Sequence, residues 1–402
     1  MKLCDAAKRF GIEEIPEWLP EYYEENAAPY FALDREFLLD VEDRLGAFTD
    51  AHIENVLAAA EEIKRDSVAT DWIVAIGKYL ETCDGVEARL TRKVIPVNYA
   101  EISEMYPLFA LVAMIPRMEA AYRAHGFDGD DLRYNFRVFE ISIRLSGIAQ
   151  HKPAFTLTYY QWTLLYTLCE IFDYGSFNFQ IKKLANNGNN NVKLFRNKNT
   201  GEYVLFQIEG VMHRDGKTLG DAGFTDEEGS FTCEFTETDD EYIGNPAVNN
   251  RISRERIAIK KADYVEVLNK DDEVIGLHIP RNVDFSPEAI EASLRGAVEI
   301  IKNQFPEWKP KMYVCSSWLL DPGLEDLLGS ESRIVKFGKM FKRYPGGASN
   351  GRGGYSFVFL GYEENEDLPE DTSLRRKLKA HYLSGGNTYF CPGIICDESY
   401  FA

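Results

Sequence analysis

The stretch from Glu273 to Pro322 constrains the fold more than any other part of the chain. It opens with an apolar run, Val274-Ile275-Gly276-Leu277-His278-Ile279, closed by Pro280. Ser286-Pro287-Glu288 then reads as a helix start, with Ser286 as the cap and Pro287 in the first turn, where a missing N–H does no harm. Ile290, Leu294, Val298, Ile301 and Phe305 follow at near-helical spacing. A second apolar run, Lys311 to Ser316, leads into Ser317-Trp318-Leu319-Leu320-Asp321-Pro322. Strand, helix and strand at this spacing predict a βαβ unit with two parallel strands and a right-handed crossover. Ligands of such units gather at the carboxyl ends of the strands, near the helix N-terminus. The segment from His278 to Ser286 occupies that position.

A single small core cannot accommodate 402 residues, and the length predicts two or three domains. The apolar fraction of 45%, with many Tyr and Phe, is that of a folded chain. There are 65 acidic residues against 45 basic ones, a formal net charge of −20. Such a surface repels phosphate backbones and anionic bilayers, which argues against nucleic-acid binding and membrane docking. Met1 to Asp5 lacks the apolar core of a signal peptide, and the run Leu108 to Ile115 is too short to span a bilayer. Seven scattered cysteines, an odd number, fit reduced thiols better than a disulfide framework. A soluble cytoplasmic protein is expected, and no pattern speaks to its oligomeric state.

Residues 1 to 172 read as a helical bundle. His52 to Lys64 places Ile53, Val56, Leu57, Ala60 and Ile63 on one face. Tyr106 to His125 continues the pattern, with Pro116 expected to kink or restart it, and Leu132 to Ala149 and Thr156 to Phe172 complete the set. The character changes at Asp173-Tyr174-Gly175. Ser176 to Ile181 alternates apolar and polar side chains as a half-buried strand does. Asn186 to Asn191 reads as a loop, and Val192 to Phe195 and Tyr203 to Ile208 as strands joined by a turn at Asn197 to Gly201. The polar stretch 210–250 reads as a lid or, preferably, a surface insertion. Beyond the βαβ unit, a helix is expected over Leu324 to Phe341, a strand over Tyr355 to Leu360, a helix over Ser373 to Leu383 stopped by Gly385-Gly386, and a last strand within Tyr389 to Ile395.

Several motifs invite a chemical reading. The N-terminus of the helix beginning at Ser286 offers free N–H groups to an anion, and Arg281 is the one cation in the preceding loop. Asp284 and Glu288 already bring negative charge there, and an ordinary capped helix accounts for these residues by themselves. His278 stands at a strand end, where a base near neutral pH would be useful, although a hydrogen-bonded structural histidine is commoner. Ser316 and Ser317 end the neighbouring strand and either orient a substrate or cap the next turn. Gly346 to Gly354 lacks the G-K-[ST] ending of a phosphate loop. Lys336, Lys339, Lys342 and Arg343, with Arg352 nearby, form a basic stripe on the expected helix; a solvated helix face explains it slightly better than a phosphate site. Cys391 and Cys396 have no second pair to complete a zinc site, so no metal is expected. Neither a G-x-S-x-G elbow nor a GxGxxG fingerprint is present.

Gly276-Leu277-His278-Ile279-Pro280, Phe285-Ser286-Pro287-Glu288-Ala289 and Cys315-Ser316-Ser317-Trp318-Leu319-Leu320-Asp321-Pro322 together resemble a group of bacterial acyltransferase-domain proteins. In that group a helical N-acyltransferase-like domain precedes a C-terminal domain like the GNAT fold. Asp173 to Phe179 and Gly244-Asn245-Pro246 are similar to stretches of the same group. The resemblance spans most of the chain after about residue 100, and Ser317 to Pro322 is its most distinctive part.

The resemblance implies an α+β fold: a helical domain over 1–172, then a GNAT-like mixed sheet flanked by helices over 173–402, with an insertion near 210–250. It implies transfer of an acyl group from acetyl-CoA or another acyl-CoA to an amine of a small-molecule or peptide acceptor. In the GNAT fold two central strands splay to admit pantetheine, here 274–279 and 312–316. The following loop holds the pyrophosphate, here Arg281, Asn282, Val283, Asp284, Phe285 and Ser286. The backbone of Ile279 would point at the thioester carbonyl, His278 would act as base, and Ser316 or Ser317 would position the substrate. The loop matches the family pattern Q/R-x-x-G-x-G/A only at its Arg, and the usual tyrosine acid has Tyr344 as its nearest counterpart. A catalytically silent GNAT-like module that binds a small metabolite or a protein partner is the alternative.

Overall fold

The structure, a computed structural model, describes residues 1–186 and 191–401. It forms two compact units, Met1–Phe172 and Asp173–Ala402.

The first unit is helical. Its longest helices are Asp50–Lys64 and Ser67–Thr82. The second of these is started by Asp66, whose carboxylate accepts from the N–H groups of Val68 and Ala69 and also pairs with Arg9. Trp72, Tyr106, Phe109, Tyr122, Phe136, Phe139 and Tyr160 fill the core. Tyr106–Val112 and Ile115–Ala124 are separate helices, with Pro116 in the first turn of the second, so the proline restarts the helix. Two expected helices are shorter than the periodicity indicated. Leu132 to Ala149 is divided into Gly129–Phe136 and Val138–Gln150, and the last helix is Leu157–Thr167. Cys169, in the left-handed region at φ 56°, turns the chain away before Phe172.

The second unit carries fifteen strands among the described residues. The first four are β1 (Ile171–Tyr174), β2 (Phe177–Lys183), β3 (Val192–Asn197) and β4 (Tyr203–Gln207). Then come β5 (Val211–Met212), β6 (Phe231–Thr232), β7 (Phe235–Glu237), β8 (Glu241–Val248) and β9 (Arg251–Ile252). The last six are β10 (Ile257–Lys260), β11 (Tyr264–Leu268), β12 (Glu273–His278), β13 (Tyr313–Ser317), β14 (Lys342–Arg343) and β15 (Cys391–Ile395). The main sheet runs β1-β2-β12-β13-β15-β14, and β12 and β13 are its parallel pair. The second sheet runs β10-β8-β4-β3-β11, with β7 and β9 also on β8.

The crossover helix Pro287–Gln304 covers one face of the main sheet, where Tyr313 donates from its hydroxyl to the Leu294 carbonyl. The second sheet covers the other: Val274, Val314 and Ile394 pack with Leu194, Leu205 and Leu268. The mixed sheet between a helix and a second sheet is the α+β architecture the sequence indicated, and the βαβ unit is present as expected.

Three readings need correction. The excursion read over 210–250 ends in sheet: Glu241–Val248 forms β8, an interior strand of the second sheet. Leu324 to Phe341 is two short helices, Leu324–Leu328 and Arg333–Lys339, parted by Gly329 at φ 88°. Tyr355 to Leu360 is a helical turn, Tyr355–Val358, which brings Tyr355 and Phe359 to the same small core as Leu378 and Tyr382. The last strand expected within Tyr389 to Ile395 is present as β15, paired on both sides. The loop expected at Asn186 to Asn191 falls mostly outside the described residues.

Candidate functional site

Strands β12 and β13 run together only at their amino ends. The Lys311 N–H donates to the Glu273 carbonyl at 2.9 Å, the Ile275 N–H to Met312 at 3.0 Å, and the register pairs are Ile275 with Tyr313 and Gly276 with Val314. Beyond Gly276 and Val314 the shared ladder ends. Yet β12 stays on β2 as far as His278 opposite Asn178, and β13 stays on β15 as far as Ser317 opposite Cys391. The two central strands therefore part toward their carboxyl ends while each is held by its outer neighbour. The register pairs shared by β12 and β13 extend to neither Leu277–His278 nor Cys315–Ser317.

Three titratable side chains lie around this fork, Lys182 and His278 on the face that Val274 turns to the second sheet and Cys315 on the face that Tyr313 turns to the crossover helix. Lys182 of β2 lies across Gly276: a Cβ placed on that glycine would stand 2.6 Å from Lys182 Cε and 2.9 Å from Nζ. The lysine is 8% exposed, and burial brings its pKa down to about 8, with the Cys315 thiol acting weakly in the other sense. Cys315, the first residue of β13 past the fork, is buried, and desolvation pushes its thiol up to about 12. His278 is half-buried; desolvation first, then the charge of Lys182, lower its pKa to about 3, so the imidazole is neutral at physiological pH. Its Nε2 is 3.1 Å from Gln180 Oε1. With that oxygen accepting from Nε2–H, Nδ1 carries the lone pair.

The remaining expected site residues fall into place unevenly. Ser316 is exposed on the strand edge, whereas Ser317 Oγ accepts from the Leu319 N–H at 3.2 Å and caps the turn Trp318–Leu320. Ile279, half-buried, follows β12 outside the strand. In the loop, Arg281, Asn282 and Asp284 are exposed, Val283 and Phe285 are half-buried, and Asn282 adopts φ 63°. Phe285 packs on Phe337. Asp284 accepts from the N–H and the hydroxyl of Ser286, both at 2.9 Å, which holds its carboxyl below the usual range, with Arg333 3.6 Å away adding to it. Ser286 Oγ in turn accepts from Ala289 N–H at 3.4 Å.

The basic stripe is dispersed. Lys336 and Lys339 stand on the helix Arg333–Lys339, paired with Glu331 and Glu325, while Lys342 and Arg343 belong to β14. Arg352 lies over the ring of Tyr355. The glycine-rich segment is a packed connection. Asp221 accepts from the N–H and hydroxyl of Ser349, Thr218 Oγ1 donates to the Gly346 carbonyl, and Lys217 donates to the side-chain oxygen of Asn250. Among the described residues no three His, Cys, Asp or Glu side chains converge as a metal ion would require. The helical unit has its own surface groove of about 510 Å³ by Arg133, Arg137 and Glu140, with no comparable cluster of perturbed groups.

Sequence reasoning missed Gln180 and Lys182. Their signal was present but points outward: in Phe177-Asn178-Phe179-Gln180-Ile181-Lys182 the polar residues occupy the alternate face, which a lone sheet would give to water. Here the second sheet occupies it.

A family model described as GNAT-like C-terminal domain matches residues 171–395. No curated protein matches the chain. Among solved structures, an acyltransferase in complex with decanoyl-CoA and teicoplanin superposes with a TM-score of 0.63 at 16% identity, over 98% of this chain and 99% of that one. An acyltransferase mutant in complex with octanoyl-CoA gives the same values. At this identity the likeness is one of fold, and it extends over the helical unit as well. No helix among the described residues is long and apolar enough to cross a membrane.

Proposed function

Because the chain belongs to the GNAT-like C-terminal domain family, we propose that it transfers an acyl group from an acyl-CoA to an amine of a small-molecule or peptide acceptor. The observation that carries the reading is the parting of β12 and β13 beyond Gly276 and Val314. A narrow chain such as pantetheine fits between strand edges that have released each other, and the bared N–H and C=O groups give it partners. The thioester then lies beside Gly276, Leu277 and Ile279, and the pyrophosphate lies toward Arg281 to Ser286. The octanoyl- and decanoyl-CoA held by proteins of the same fold support acyl chains longer than acetyl as candidates.

The acceptor nitrogen attacks the thioester carbonyl carbon, the C–N bond forms, the C–S bond breaks, and CoA leaves as the thiolate. The nitrogen loses one proton, and the thiolate takes one up from solvent. An imidazole with a pKa of about 3 is a poor acceptor toward a free ammonium. The amine therefore enters uncharged, and His278 Nδ1 accepts a proton from the far more acidic nitrogen of the tetrahedral adduct. Ser316, exposed beside the fork, positions the acceptor, and Ser317 holds the turn that follows.

One observation favours a non-catalytic module that binds a metabolite or protein partner. The loop before the crossover helix carries Asp284 in its own capping bonds and has no glycine to let backbone approach a phosphate. Titration calorimetry separates the two. Decanoyl-, octanoyl- and acetyl-CoA are each titrated into the full chain, and at least one is expected to bind in the micromolar range. No heat from any of the three at millimolar concentration sinks the transferase reading.

A further inference from the structure

We propose that the recess where β14 meets the turn between β8 and β9 is a binding site for a phosphate monoester group. It lies at the edge of the main sheet, encloses about 270 Å³, and is lined by three cations, Lys339, Lys342 and Arg343. No acidic residue belongs to its described lining, although the chain carries 65 acidic residues against 45 basic ones. The expected basic stripe does not form one helix face, yet three of its members come together here from two elements. Lys339 ends the helix Arg333–Lys339, and Lys342 and Arg343 are β14. The proposal goes beyond the acyl-transfer reading and does not depend on it.

The recess has fixed walls. Phe341, buried, anchors the chain between Lys339 and Lys342 on Gly393 of β15, where a Cβ would stand 2.8 Å from the Phe341 Cβ. Val248 and Asn249 line the recess from a tight turn in which Asn249 and Asn250 take φ 49° and 60°. Asn250 ties that turn to the end of β14, its amide donating to the Tyr344 carbonyl at 2.6 Å. Two of the cations have no carboxylate partner. Among the described residues Lys342 makes no ion pair or hydrogen bond, and Arg343 donates to the Leu320 carbonyl at 3.4 Å. Asp321 feels the charge of Arg343, but its carboxylate accepts from the N–H groups of Tyr389 and Gly323. Lys339 alone is paired, with Glu325 at 2.6 Å. A concave site lined by one sign of charge concentrates counter-ions. Two charges without a partner match a phosphate monoester, which carries about −1.5 to −2 at neutral pH. A guanidinium fork beside a lysine ammonium suits its three free oxygens better than the two of a carboxylate. Two sources carry that group: the ribose 3′-phosphate of CoA, and a separate phosphorylated small molecule.

The test uses the full chain and three probes: inorganic phosphate, CoA and 3′-dephospho-CoA. Phosphate binding is followed by phosphorus NMR against chloride at matched ionic strength, and the two coenzymes by titration calorimetry. Wild-type protein should bind phosphate in the millimolar range. Lys342→Glu puts a negative charge into the recess and breaks no bond of the folded chain. It should weaken phosphate by at least about tenfold and leave the circular dichroism spectrum unchanged. If the group belongs to CoA, the wild type should bind CoA at least about tenfold more tightly than dephospho-CoA, and the variant should bind the two alike. If it belongs to another molecule, the wild type binds both coenzymes alike and the variant still loses phosphate. Phosphate binding and coenzyme preference that both survive in Lys342→Glu overturn the proposal. Wild-type protein that neither binds phosphate beyond the chloride control nor prefers CoA overturns it too, and that result needs no variant to fold. Phosphate binding lost in the variant, with no coenzyme bound by either protein, supports the site and sinks the transfer reading.

Discussion

Gly276→Ala separates packing from chemistry at the fork. An alanine Cβ would lie 2.6 Å from Lys182 Cε, 2.9 Å from its Nζ and 3.4 Å from Gln180 Cβ. The last contact is tolerable. The first two are not, and the end of the lysine must retreat by about 1 Å to reach ordinary van der Waals separation. Overpacking a tight interior costs about 1–3 kcal/mol. Here the atoms that yield are the flexible end of a side chain, which places the cost at the low end. Replacing a strand glycine also removes unfolded-state freedom, an offset of about 0.5–1 kcal/mol. Net destabilisation should stay below about 2 kcal/mol. The rate should respond far more, because Gly276 lines the fork where the acyl group is proposed to lie, and a misplacement of about 1 Å there commonly costs about 100-fold. Urea unfolding followed by circular dichroism gives the first quantity, and thiol release from decanoyl-CoA with hydroxylamine gives the second. A variant that unfolds with a loss above about 4 kcal/mol shows that the lysine cannot yield. Full kcat in a stable variant shows that the space beside Gly276 does not matter. Either result refutes the reasoning.

Ser317→Ala removes the cap on the turn Trp318–Leu320 and should lower stability by about 0.5–1 kcal/mol while changing kcat less than about threefold, since the hydroxyl is committed to the Leu319 N–H; a loss of about 100-fold would make Ser317 catalytic instead. In the helical unit, burial works against the Asp66 carboxylate, but its bonds from Arg9, Ala69 and Val68 prevail and hold its pKa below the ordinary value. A lowered folded pKa means stability that is present above the unfolded value, near 3.9 in model peptides, and is lost as pH falls through the folded one. Asp66→Asn should therefore lower stability at neutral pH by about 1 kcal/mol after solvent screening of the half-exposed pair, read as a fall in Tm, and should flatten the acid side of the stability profile below about pH 4. Equal losses at every pH would assign the effect to packing.

The βαβ unit was legible because its signals are local: a cap and proline at Ser286-Pro287, apolar residues at helical spacing, and a strand on each side. The hairpin of β3 and β4 was legible for the same reason, since Asn197 accepts from the N–H groups of Asn199 and Thr200 and Gly201 supplies φ 76°. Readings failed where the deciding partner is remote. Glu241 to Val248 looked like excursion because it is polar in part, yet it is wedged between β4 and β10. Tyr355 and Phe359 looked like strand residues until Tyr382, far along the chain, gave both rings a common neighbour. Gly329 was a local signal, and its φ of 88° breaks a helix that apolar periodicity alone carried through.

The site itself follows the same rule. A fork between two parallel strands cannot hold itself open, since each bared edge would gain hydrogen bonds by closing. The opening persists because β2 grips β12 from Glu273 through His278 and β15 grips β13 from Tyr313 through Ser317, the full length of each strand. Those two strands come from opposite ends of the domain sequence, and neither belongs to the βαβ unit. The same arrangement brings Gln180 and Lys182 alongside Gly276, two residues apart on the strand that does the gripping. The unit supplies His278 and Ser316, while the outer strands hold the site open and bring Gln180 to the imidazole. That is why Gln180 and Lys182 could not be read from the stretch that pointed to the site.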